Sequence, residues 1–306
     1  MAAELSFVVV TWNSVEDLGG LIASMSTYLP DAAGIELIVV DNASSDDPTP
    51  AAQKWQGEVV CERLESNLGF GAAANRGVAL ASAPVSVICN PDVRLIDDSI
   101  QALGALASEK QALVGPRLLW SDGSLQPSAS GPVVGLWPWV GALIPGSIQP
   151  RWMLTRTEPW RLEETIEVTW LTGAVIAAPT ALLRDLGPFD ESIELMSEDL
   201  ELGLRAREAG ASSYFAPGVS SVVHLGGRSL GKRFPDRGLA LSWRNRSAVI
   251  ADFYGSNSER RSRAAARLRL RLRRFAKEIL RRDSSIERRE LEALADSHRA
   301  EILTTE

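Results

Sequence analysis

The first hundred residues alternate short apolar runs with segments that have the pattern of helices. The apolar runs are rich in Val and Ile, which favour buried strands, and they lie at 5–12, 35–42, 58–64 and 84–93. The helical segments follow them near 16–28, 46–55, 71–82 and 97–109. Because strand and helix alternate in this way, the sequence predicts an α/β fold with a mostly parallel, Rossmann-like central sheet flanked by helices.

Polar residues follow three of the predicted strands. They are Thr11-Trp12-Asn13, Asp41-Asn42 and Asn90-Pro91-Asp92. Ligands of open α/β sheets bind beyond the carboxyl ends of the strands. We therefore expect a polar ligand site at that edge of the sheet.

The second half of the chain has a less regular pattern. Residues 112–128 predict two strands joined by a turn at Asp122-Gly123, and 169–179 and 213–227 predict further strands. A helix is expected near 195–210 with Ser197 as its cap. The segment 131–160 is crowded with Gly, Pro and Trp, so no regular element is expected there.

Charge is distributed unevenly between the main part of the chain and its last fifty residues. Residues 1–254 hold 18 basic and 30 acidic side chains, whereas 255–306 hold 14 and 9. This shift predicts a domain at 1–254 followed by a basic helical tail at 255–306. The net charge of −7 argues against nucleic acid as a partner.

The tail has the pattern of a basic amphipathic helix. Leu268, Leu272, Phe275 and Ile279 fall on one helical face, and arginines occupy the others. Such a helix lies on anionic lipid, or it packs on the preceding domain or on a second subunit of a homodimer; periodicity does not separate these alternatives. No apolar run is long enough for a membrane span, and the first residues lack the basic start of a signal peptide. We expect a cytoplasmic protein, with the inner face of the plasma membrane as its site of peripheral attachment.

The two cysteines are too few for a disulfide framework. Both Cys61 and Cys89 lie in apolar runs, so we expect reduced, buried thiols.

Eight segments, in this order, resemble the family 2 glycosyltransferases with the GT-A fold, and most closely their rhamnosyltransferase-like branch. The resemblance covers roughly residues 5–230, and its segments are VVVTWNS, LIVVDNASSDD, NLGFGAAANRG, ICNPDV, GPRLLWSDGSLQPS, WLTGAVIAAP, LGPFDESIELMSEDLELGLRAREAG and VVHLGG. It implies inverting transfer of a sugar from a nucleotide diphosphate, with Mg²⁺ or Mn²⁺ as cofactor. The implied nucleotide is dTDP or UDP, and the first candidate sugar is L-rhamnose. The implied acceptor is a surface glycan or a polyprenyl-linked sugar, with a natural product as the alternative.

The expected metal site follows from the leaving group. A diphosphate that departs with negative charge needs a hard cation beside it, and such ions prefer oxygen ligands. Asp92 matches the last acid of the family's D-x-D motif, whose first acid is here Asn90, and His224 matches a position that completes the metal shell. The alternatives are a helix-capping role for Asp92 and a core position for His224.

The expected base follows from the acceptor, because an attacking hydroxyl must lose its proton. Asp199 matches the Asp of the family's ED motif, and its neighbour Glu198 is expected to orient the acceptor or support the base. Two acids in the first turn of a helix also stabilise the helix dipole, which is the competing interpretation. The resemblance places Trp170 and Gly173 on the acceptor side.

The remaining matches concern the nucleotide sugar. Trp12 either lines the nucleotide pocket or packs in the core. The segment with Arg228, Ser229, Lys232 and Arg233 either closes over the diphosphate or is an ordinary basic surface loop. The positions carried over from the family are Thr11, Trp12, Asn13, Asp41, Asn67, Gly71, Asn75, Asn90 and Arg228.

Other functions fit parts of the sequence less well. Residues 69–74 match the G-x-G-x-x-G/A fingerprint of nicotinamide-dependent oxidoreductases, but they follow the third strand and not the first. The sequence lacks the glycine-rich loop that a sugar nucleotidyltransferase has directly after its first strand. A non-catalytic scaffold would not need Asp92, Asp199 and His224 together. Three tryptophans of the 131–160 segment either form a rim for a lipid-linked acceptor or pack over the core: Trp137, Trp139 and Trp152.

Overall fold

A computed structural model describes residues 4–31, 34–193, 196–226 and 238–303. The chain forms two compact units, one of residues 1–129 and 160–229, the other of residues 130–159 and 230–306. The first unit carries the sheets. The domain boundary predicted after Tyr254 falls inside the second unit, between two of its helices.

The alternation expected in the first half is present. Its elements are β1 (Leu5–Thr11), α1 (Val15–Tyr28), β2 (Ile35–Asp41), α2 (Thr49–Ala52), β3 (Glu58–Arg63), α3 (Phe70–Leu80), β4 (Val85–Cys89), β5 (Val93–Leu95) and α4 (Ile100–Lys110). Only α2 is much shorter than predicted. The chain turns after it and buries Trp55, whose indole Nε1 donates a hydrogen bond to the Ile35 carbonyl.

The second half holds more short elements than the sequence indicates. They are β6 (Leu113–Gly115), β7 (Arg117–Leu119), β8 (Leu125–Gln126), β9 (Ala129–Ser130), α5 (Trp137–Leu143), α6 (Arg151–Thr157), β10 (Ile166–Val168), β11 (Trp170–Leu171), β12 (Val175–Pro179), α7 (Thr180–Leu186), α8 (Glu198–Glu208), β13 (Ser213–Phe215), β14 (Ser221–His224), α9 (Gly238–Tyr254), α10 (Ser256–Ile279) and α11 (Ser285–Leu303).

The prediction of no regular element at 131–160 was wrong, because α5 and α6 lie there. Pro138 occupies the first turn of α5, and Pro150 stands at the N-cap of α6. Proline in these positions removes no helical hydrogen bond, so it starts a helix and does not break one.

The central sheet of the described residues has eight strands in the order β10-β13-β6-β12-β4-β1-β2-β3. β1 is parallel to both β2 and β4, and β2 is parallel to β3. β12 runs antiparallel to β4. The α/β prediction is thus confirmed, with β1 to β4 parallel to one another and β13 parallel to β6.

Alternate side chains of β1 enter two cores, as the period of a strand requires. Phe7 and Val9 join the cluster that includes residues of α1 and α4, and Val8 and Val10 join the one that includes residues of α3. Gly77 lets α3 approach closely, since a Cβ at this position would lie 2.3 Å from Val8 Cγ1. Burial on both faces explains why the strand has no polar alternation.

A second, four-stranded sheet has the order β5-β14-β7-β8. β14 pairs antiparallel with β5, so that His224 lies opposite Val93. β7 and β8 form the predicted hairpin, with Leu118 opposite Gln126. This sheet therefore brings residues from three distant parts of the chain to one place.

The second unit is helical, and α5 and α11 both contact α10 within it. Arg269 of α10 forms an ion pair with Glu158 at 2.6 Å, and Ser262 donates a hydrogen bond to the Val133 carbonyl. The tail is helical as predicted. Among the described residues, no helix combines the length and the apolar composition that crossing a bilayer requires.

The two cysteines differ in burial. Cys89 in β4 is buried, and burial raises the pKa of its thiol. Cys61 is exposed, against expectation, because β3 is the outermost strand of the sheet and one of its faces is open to solvent.

Candidate active site

Asp92 and His224 lie side by side although they are far apart in the sequence. Asp92 follows β4 and directly precedes β5, whose pairing with β14 places His224 next to it. Asp92 Oδ1 is 3.3 Å from His224 Nε2, and each residue is 8% exposed. Since a strand and not a helix begins after Asp92, the helix-capping interpretation of Asp92 does not hold.

The Asp92 carboxylate is ionised at neutral pH in spite of its burial. Burial acts to raise the pKa of Asp92, but the hydrogen bond and charge of His224 and backbone hydrogen bonds outweigh it and lower this pKa. A buried negative charge beside an imidazole therefore faces the edge of the sheet.

The donor atoms of this pair fit a hard divalent cation. Neighbouring ligands of an octahedral ion with bonds of about 2.1 Å lie about 3 Å apart, close to the Asp92–His224 separation. Among the residues that the structure describes, no cluster of three or more His, Cys, Asp or Glu side chains can hold a metal. A two-ligand site leaves the other positions to water and phosphate oxygens, which is how Mg²⁺ is usually bound with a phosphorylated substrate.

Asp199 stands at the start of α8 with both carboxylate oxygens engaged. Oδ2 accepts a hydrogen bond from the Gly173 amide at 3.0 Å, and Oδ1 accepts one from the Leu200 amide at 2.8 Å. Met196 and Ser197, the two residues before α8, have φ of 69° and 77°. Non-glycine residues rarely occupy this left-handed region. Ser197 is at the N-cap, but its side chain makes no capping hydrogen bond, which corrects the predicted role.

Glu198, next to Asp199, is a buried acid that is neutral at pH 7. Burial, and then the charge of Asp199, raise the pKa of Glu198 to about 8. Its Oε2 atom and the indole Nε1 of Trp170 are both buried without a hydrogen-bond partner among the described residues. Gly203 allows α8 to lie on β11, because a Cβ there would be 2.7 Å from Trp170 Cβ.

The carboxylate of Asp199 and the metal-site pair share one edge of the sheet. The Asn90 amide donates to the Ala174 carbonyl at 2.9 Å, and Gly173 precedes Ala174. The path from Asp199 Oδ2 through Gly173 and Ala174 to the Asn90 amide nitrogen contains two hydrogen bonds. Its length is at most about 13 Å. The Asn90 side chain is itself 3.5 Å from His224 Nε2.

Hydrogen bonds fasten the loops after β1 and β2 to each other. Asp41 Oδ1 accepts from the Thr11 hydroxyl at 3.5 Å and from the Ser44 amide at 3.1 Å. Asn13 Oδ1 accepts from the Ser45 amide at 2.8 Å. Trp12, which lies between Thr11 and Asn13 in the sequence, is half-buried. Asp41 also pairs with Arg63, whose Nε is 3.2 Å from Oδ2.

Asn42, to which the sequence analysis gave no role, anchors the glycine-rich segment. Its Nδ2 donates to Asn67 Oδ1 at 3.1 Å and to the Gly69 carbonyl at 2.9 Å, and its Oδ1 accepts from the Leu68 amide at 2.8 Å. The segment thus lies at the end of β2 and precedes α3. A dinucleotide fingerprint would instead follow β1.

Gly71 and Asn75 contact the loop after α7. Asn75 exchanges two hydrogen bonds of 2.9 Å with the Phe189 backbone, and a Cβ on Gly71 would lie 2.9 Å from Phe189 Cβ. Arg76 pairs with Glu62 at 2.6 Å, which is a surface ion pair. Arg228, with Ser229, Lys232 and Arg233, lies outside the described residues.

Two further residues hold His224 and the turn that carries Asp92, and they escaped the sequence analysis. Gln126 Oε1 is 2.8 Å from His224 Nδ1. Arg94 donates to the Pro91 carbonyl at 3.1 Å and to the Val93 carbonyl at 2.8 Å, holding the turn that carries Asp92. The signal for Gln126 was its place in a polar hairpin between two strands, but its partner lies 98 residues away.

Comparison with known proteins agrees with this geometry. The model of the family described as Glycosyl transferase family 2 matches residues 6–154. The N-acetylglucosaminyl-diphospho-decaprenol L-rhamnosyltransferase of Mycobacterium tuberculosis is similar to this chain, with 29% identity over 277 residues that cover 82% of this chain and 85% of the relative.

Solved glycosyltransferase structures share the fold. The mannosyltransferase PcManGT from Pyrobaculum calidifontis, in complex with GDP-Man and Mn²⁺, gives a TM-score of 0.61 at 14% identity and covers 100% of this chain and 89% of its own. S. aureus TarS 1–349 in complex with UDP-GlcNAc gives a TM-score of 0.56 at 14% identity. The match covers 96% of this chain and 80% of the TarS chain. The partial family match, the rhamnosyltransferase relative and the shared fold together identify this chain as a glycosyltransferase with a GT-A fold that is similar to family 2.

Proposed function

We propose that this glycosyltransferase moves a sugar from a nucleotide diphosphate to a hydroxyl of a polyprenyl-linked or surface-glycan acceptor, with inversion and with a divalent cation. The observation that carries the proposal is the buried pair of Asp92 and His224, with Asp199 at the same edge of the sheet. A carboxylate and an imidazole in contact suit a cation, and a separate carboxylate nearby suits a base.

Asp92 and His224 would hold Mg²⁺ or Mn²⁺, which neutralises charge that develops on the departing diphosphate. Asn90 contributes an amide beside His224, and Arg94 keeps the turn in place through the Pro91 carbonyl. The mannosyltransferase neighbour was solved with Mn²⁺ and a nucleotide sugar, which supports this choice of cofactor.

Asp199 would take the proton of the acceptor hydroxyl as that oxygen attacks the anomeric carbon. The Gly173 and Leu200 amides orient its carboxylate and favour the ionised form. Glu198 is neutral at pH 7 and so adds no second negative charge. Glu198 Oε2 and Trp170 Nε1, both without protein partners among the described residues, would meet polar groups of the acceptor.

The donor and acceptor are proposed from the relative's name. The Mycobacterium tuberculosis relative is an L-rhamnosyltransferase named for an N-acetylglucosaminyl-diphospho-decaprenol. We therefore favour dTDP-L-rhamnose as donor, UDP sugars as the alternative, and a polyprenyl diphosphate sugar as acceptor. Thr11, Trp12, Asn13, Asp41 and Asn67 line the loops that would receive the nucleotide, and Gly71, Asn75 and Arg228 remain positions carried over from the family alone.

The second unit would attach the enzyme to the surface of the membrane that holds such an acceptor. Among the residues whose exposure the structure describes, fourteen large apolar side chains are exposed, and nine of these lie in this unit: Leu136, Leu143, Ile148, Trp152, Leu272, Phe275, Ile279, Leu280 and Ile286. Exposed arginines flank those of α10, which suits anionic lipid. A homodimer through the same helices is the competing use of this apolar surface.

A thermal-shift panel tests the proposed activity. Wild-type protein is heated with dTDP-L-rhamnose, UDP-glucose, UDP-GlcNAc and GDP-mannose, each with and without Mn²⁺. We expect one donor to raise Tm selectively and only when Mn²⁺ is present, because ligands that bind the native state stabilise it. Equal Tm values for every donor, with and without the metal, would count against a nucleotide-sugar enzyme.

A further inference from the structure

We propose that Gln126 is a positioning residue that holds His224 with its proton on Nδ1, so that Nε2 presents a lone pair to the metal. The proposal rests on the proposed function, since it concerns the cation site of Asp92 and His224. It extends that function by assigning a role to a residue outside the metal-binding pair.

The contact between Gln126 and His224 is short and shielded from water. Gln126 Oε1 is 2.8 Å from His224 Nδ1, and Gln126 is 7% exposed. The backbone of Gln126 is fixed by its pairing with Leu118 in the β7–β8 hairpin. An amide carbonyl oxygen only accepts hydrogen bonds, so Nδ1 must carry the proton.

The Asn90 amide lies beside the other ring nitrogen. Its Nδ2 atom is 3.5 Å from His224 Nε2. Nε2 accepts this contact only while it carries no proton, which is the state that a metal ion requires.

Asp92 shows what this tautomer is for. Asp92 Oδ1 lies 3.3 Å from the same Nε2 atom, and a carboxylate offers only lone pairs. Two lone-pair donors that face each other repel unless a cation or a proton lies between them. A second proton on the ring fills this place as an Nε2–H that donates to Asp92, and a bound cation would replace that proton. Metal-binding histidines usually donate their second N–H to a carboxylate, a carbonyl or water, which fixes the ring for the metal. Gln126 supplies that carbonyl here.

Two variants separate hydrogen bonding from packing at position 126. Gln126→Met keeps the length of the side chain and removes the amide acceptor, whereas Gln126→Glu keeps an acceptor oxygen. Direct Mn²⁺ binding is measured by electron paramagnetic resonance on the full chain. We expect Gln126→Met to raise the Kd for Mn²⁺ by about 10- to 100-fold and Gln126→Glu to stay within about 3-fold of wild type. Circular dichroism melts confirm that each variant is folded.

The tautomer itself is read by nitrogen NMR of the imidazole rings in metal-free protein. The sequence has two histidines, so a His298→Gln variant assigns the signals. When the His224 ring holds a single proton, we expect that proton on Nδ1. In Gln126→Met we expect it on Nε2, from which it donates to Asp92.

The two measurements divide the outcomes cleanly. A proton on Nε2 in the wild-type protein, or a Gln126→Met variant that binds Mn²⁺ as tightly as wild type, would overturn the role of Gln126. Absence of Mn²⁺ binding by wild-type protein would instead count against the proposed function, and the tautomer measurement would then decide the role of Gln126 alone.

Discussion

At the scale of single residues, Asp199 and Glu198 are adjacent acids with different electrostatic surroundings. Asp199 accepts two backbone amide hydrogen bonds, and Glu198 is buried with one oxygen that has no partner among the described residues. The first environment favours a carboxylate and the second a neutral acid. The two neighbouring acids thus have different hydrogen-bond environments.

Asp199→Asn should retain donor binding and lose transfer by at least about 100-fold, because the amide does not accept the acceptor's proton. Donor binding is measured by calorimetry and transfer by release of nucleoside diphosphate. Glu208→Gln, an exposed acid near the end of the same helix, is the matched control. Turnover near that of wild type in Asp199→Asn would remove Asp199 from the role of base.

The raised pKa of Glu198 predicts that both the transfer rate and the stability of the protein depend on pH. Its pKa is raised to about 8 in the folded protein, so it is neutral below that pH and adds a negative charge beside Asp199 above it. The stabilisation it gives is complete below its unfolded pKa of about 4.5 and is lost as the pH rises through 8. We expect the rate of wild type to change above pH 8 and Glu198→Gln to lack this step.

Thermal melts test the same assignment. Glu198→Gln should raise Tm at pH 8 by at least about 2 °C relative to wild type, and should leave Tm nearly unchanged at pH 4.5. A pH–rate profile with the same alkaline step in both proteins, and parallel melting curves, would mean that Glu198 ionises like an exposed acid.

At the scale of elements, a buried carboxylate fastens the amino ends of the strands, away from the proposed site. Glu36 in β2 accepts hydrogen bonds from the Ser6 hydroxyl and from the amides of Ser82 and Ala83 at 2.6 and 3.0 Å. Burial acts to raise the pKa of Glu36, but these hydrogen bonds outweigh it, so the pKa is lowered. β1, β2 and the segment before β4 thus share one acceptor.

Glu36→Gln should lower the free energy of unfolding by about 2 kcal/mol at pH 7, since an uncharged amide oxygen in place of Oε1 accepts weaker hydrogen bonds than a carboxylate does. Because the folded pKa is lowered, the stabilisation is present above pH 4.5 and is lost as the pH falls through the folded pKa. Urea unfolding at pH 7 and pH 3 measures both values. The exposed Glu58→Gln on β3 is the control, and equal losses in the two variants would refute the role of Glu36.

The sequence predicted elements best where local pattern decides them. β1 and β2 are buried on both faces, and their apolar runs end at the residues where the strands end. The prediction from sequence failed at α5 and α6. Proline marks the start of each helix, but composition alone does not distinguish such a start from a loop. Asp92 and His224, which the structure brings into contact, were named from the family motif. Gln126 and Asn42 were not, because their roles depend on partners fixed only by strand pairing and loop contacts.

At the scale of the whole molecule, the two units differ in what they expose. The first unit carries the proposed catalytic residues, and the second carries most of the exposed apolar side chains. Trp152 is 65% exposed and packs edge-on against the half-buried Trp137, with ring centroids 6.4 Å apart, while Trp139 is half-buried. Of the three tryptophans considered for lipid contact, Trp152 therefore offers the largest apolar surface.

Vesicle flotation tests the proposed attachment to membranes. Full-length protein should float with vesicles that contain anionic lipid and much less with zwitterionic ones. Phe275→Ala combined with Ile279→Ala should reduce flotation several-fold without lowering Tm, because these side chains are 62% and 64% exposed. Leu80→Ala, 42% exposed in the first unit, is the matched control. Unchanged flotation, together with a dimer in solution that the double variant dissociates, would assign α10 to a second subunit.

The most direct test of the central claim is the rate of nucleoside diphosphate release from the stabilising donor, with a polyprenyl diphosphate N-acetylglucosamine as acceptor. We predict that wild type releases the diphosphate with Mn²⁺, that a chelator stops the release, and that Asp92→Asn lowers the rate at least about 100-fold at equal Mn²⁺. A folded Asp92→Asn protein with the wild-type rate, or a wild-type rate that the chelator leaves unchanged, would contradict metal-dependent transfer at Asp92 and His224.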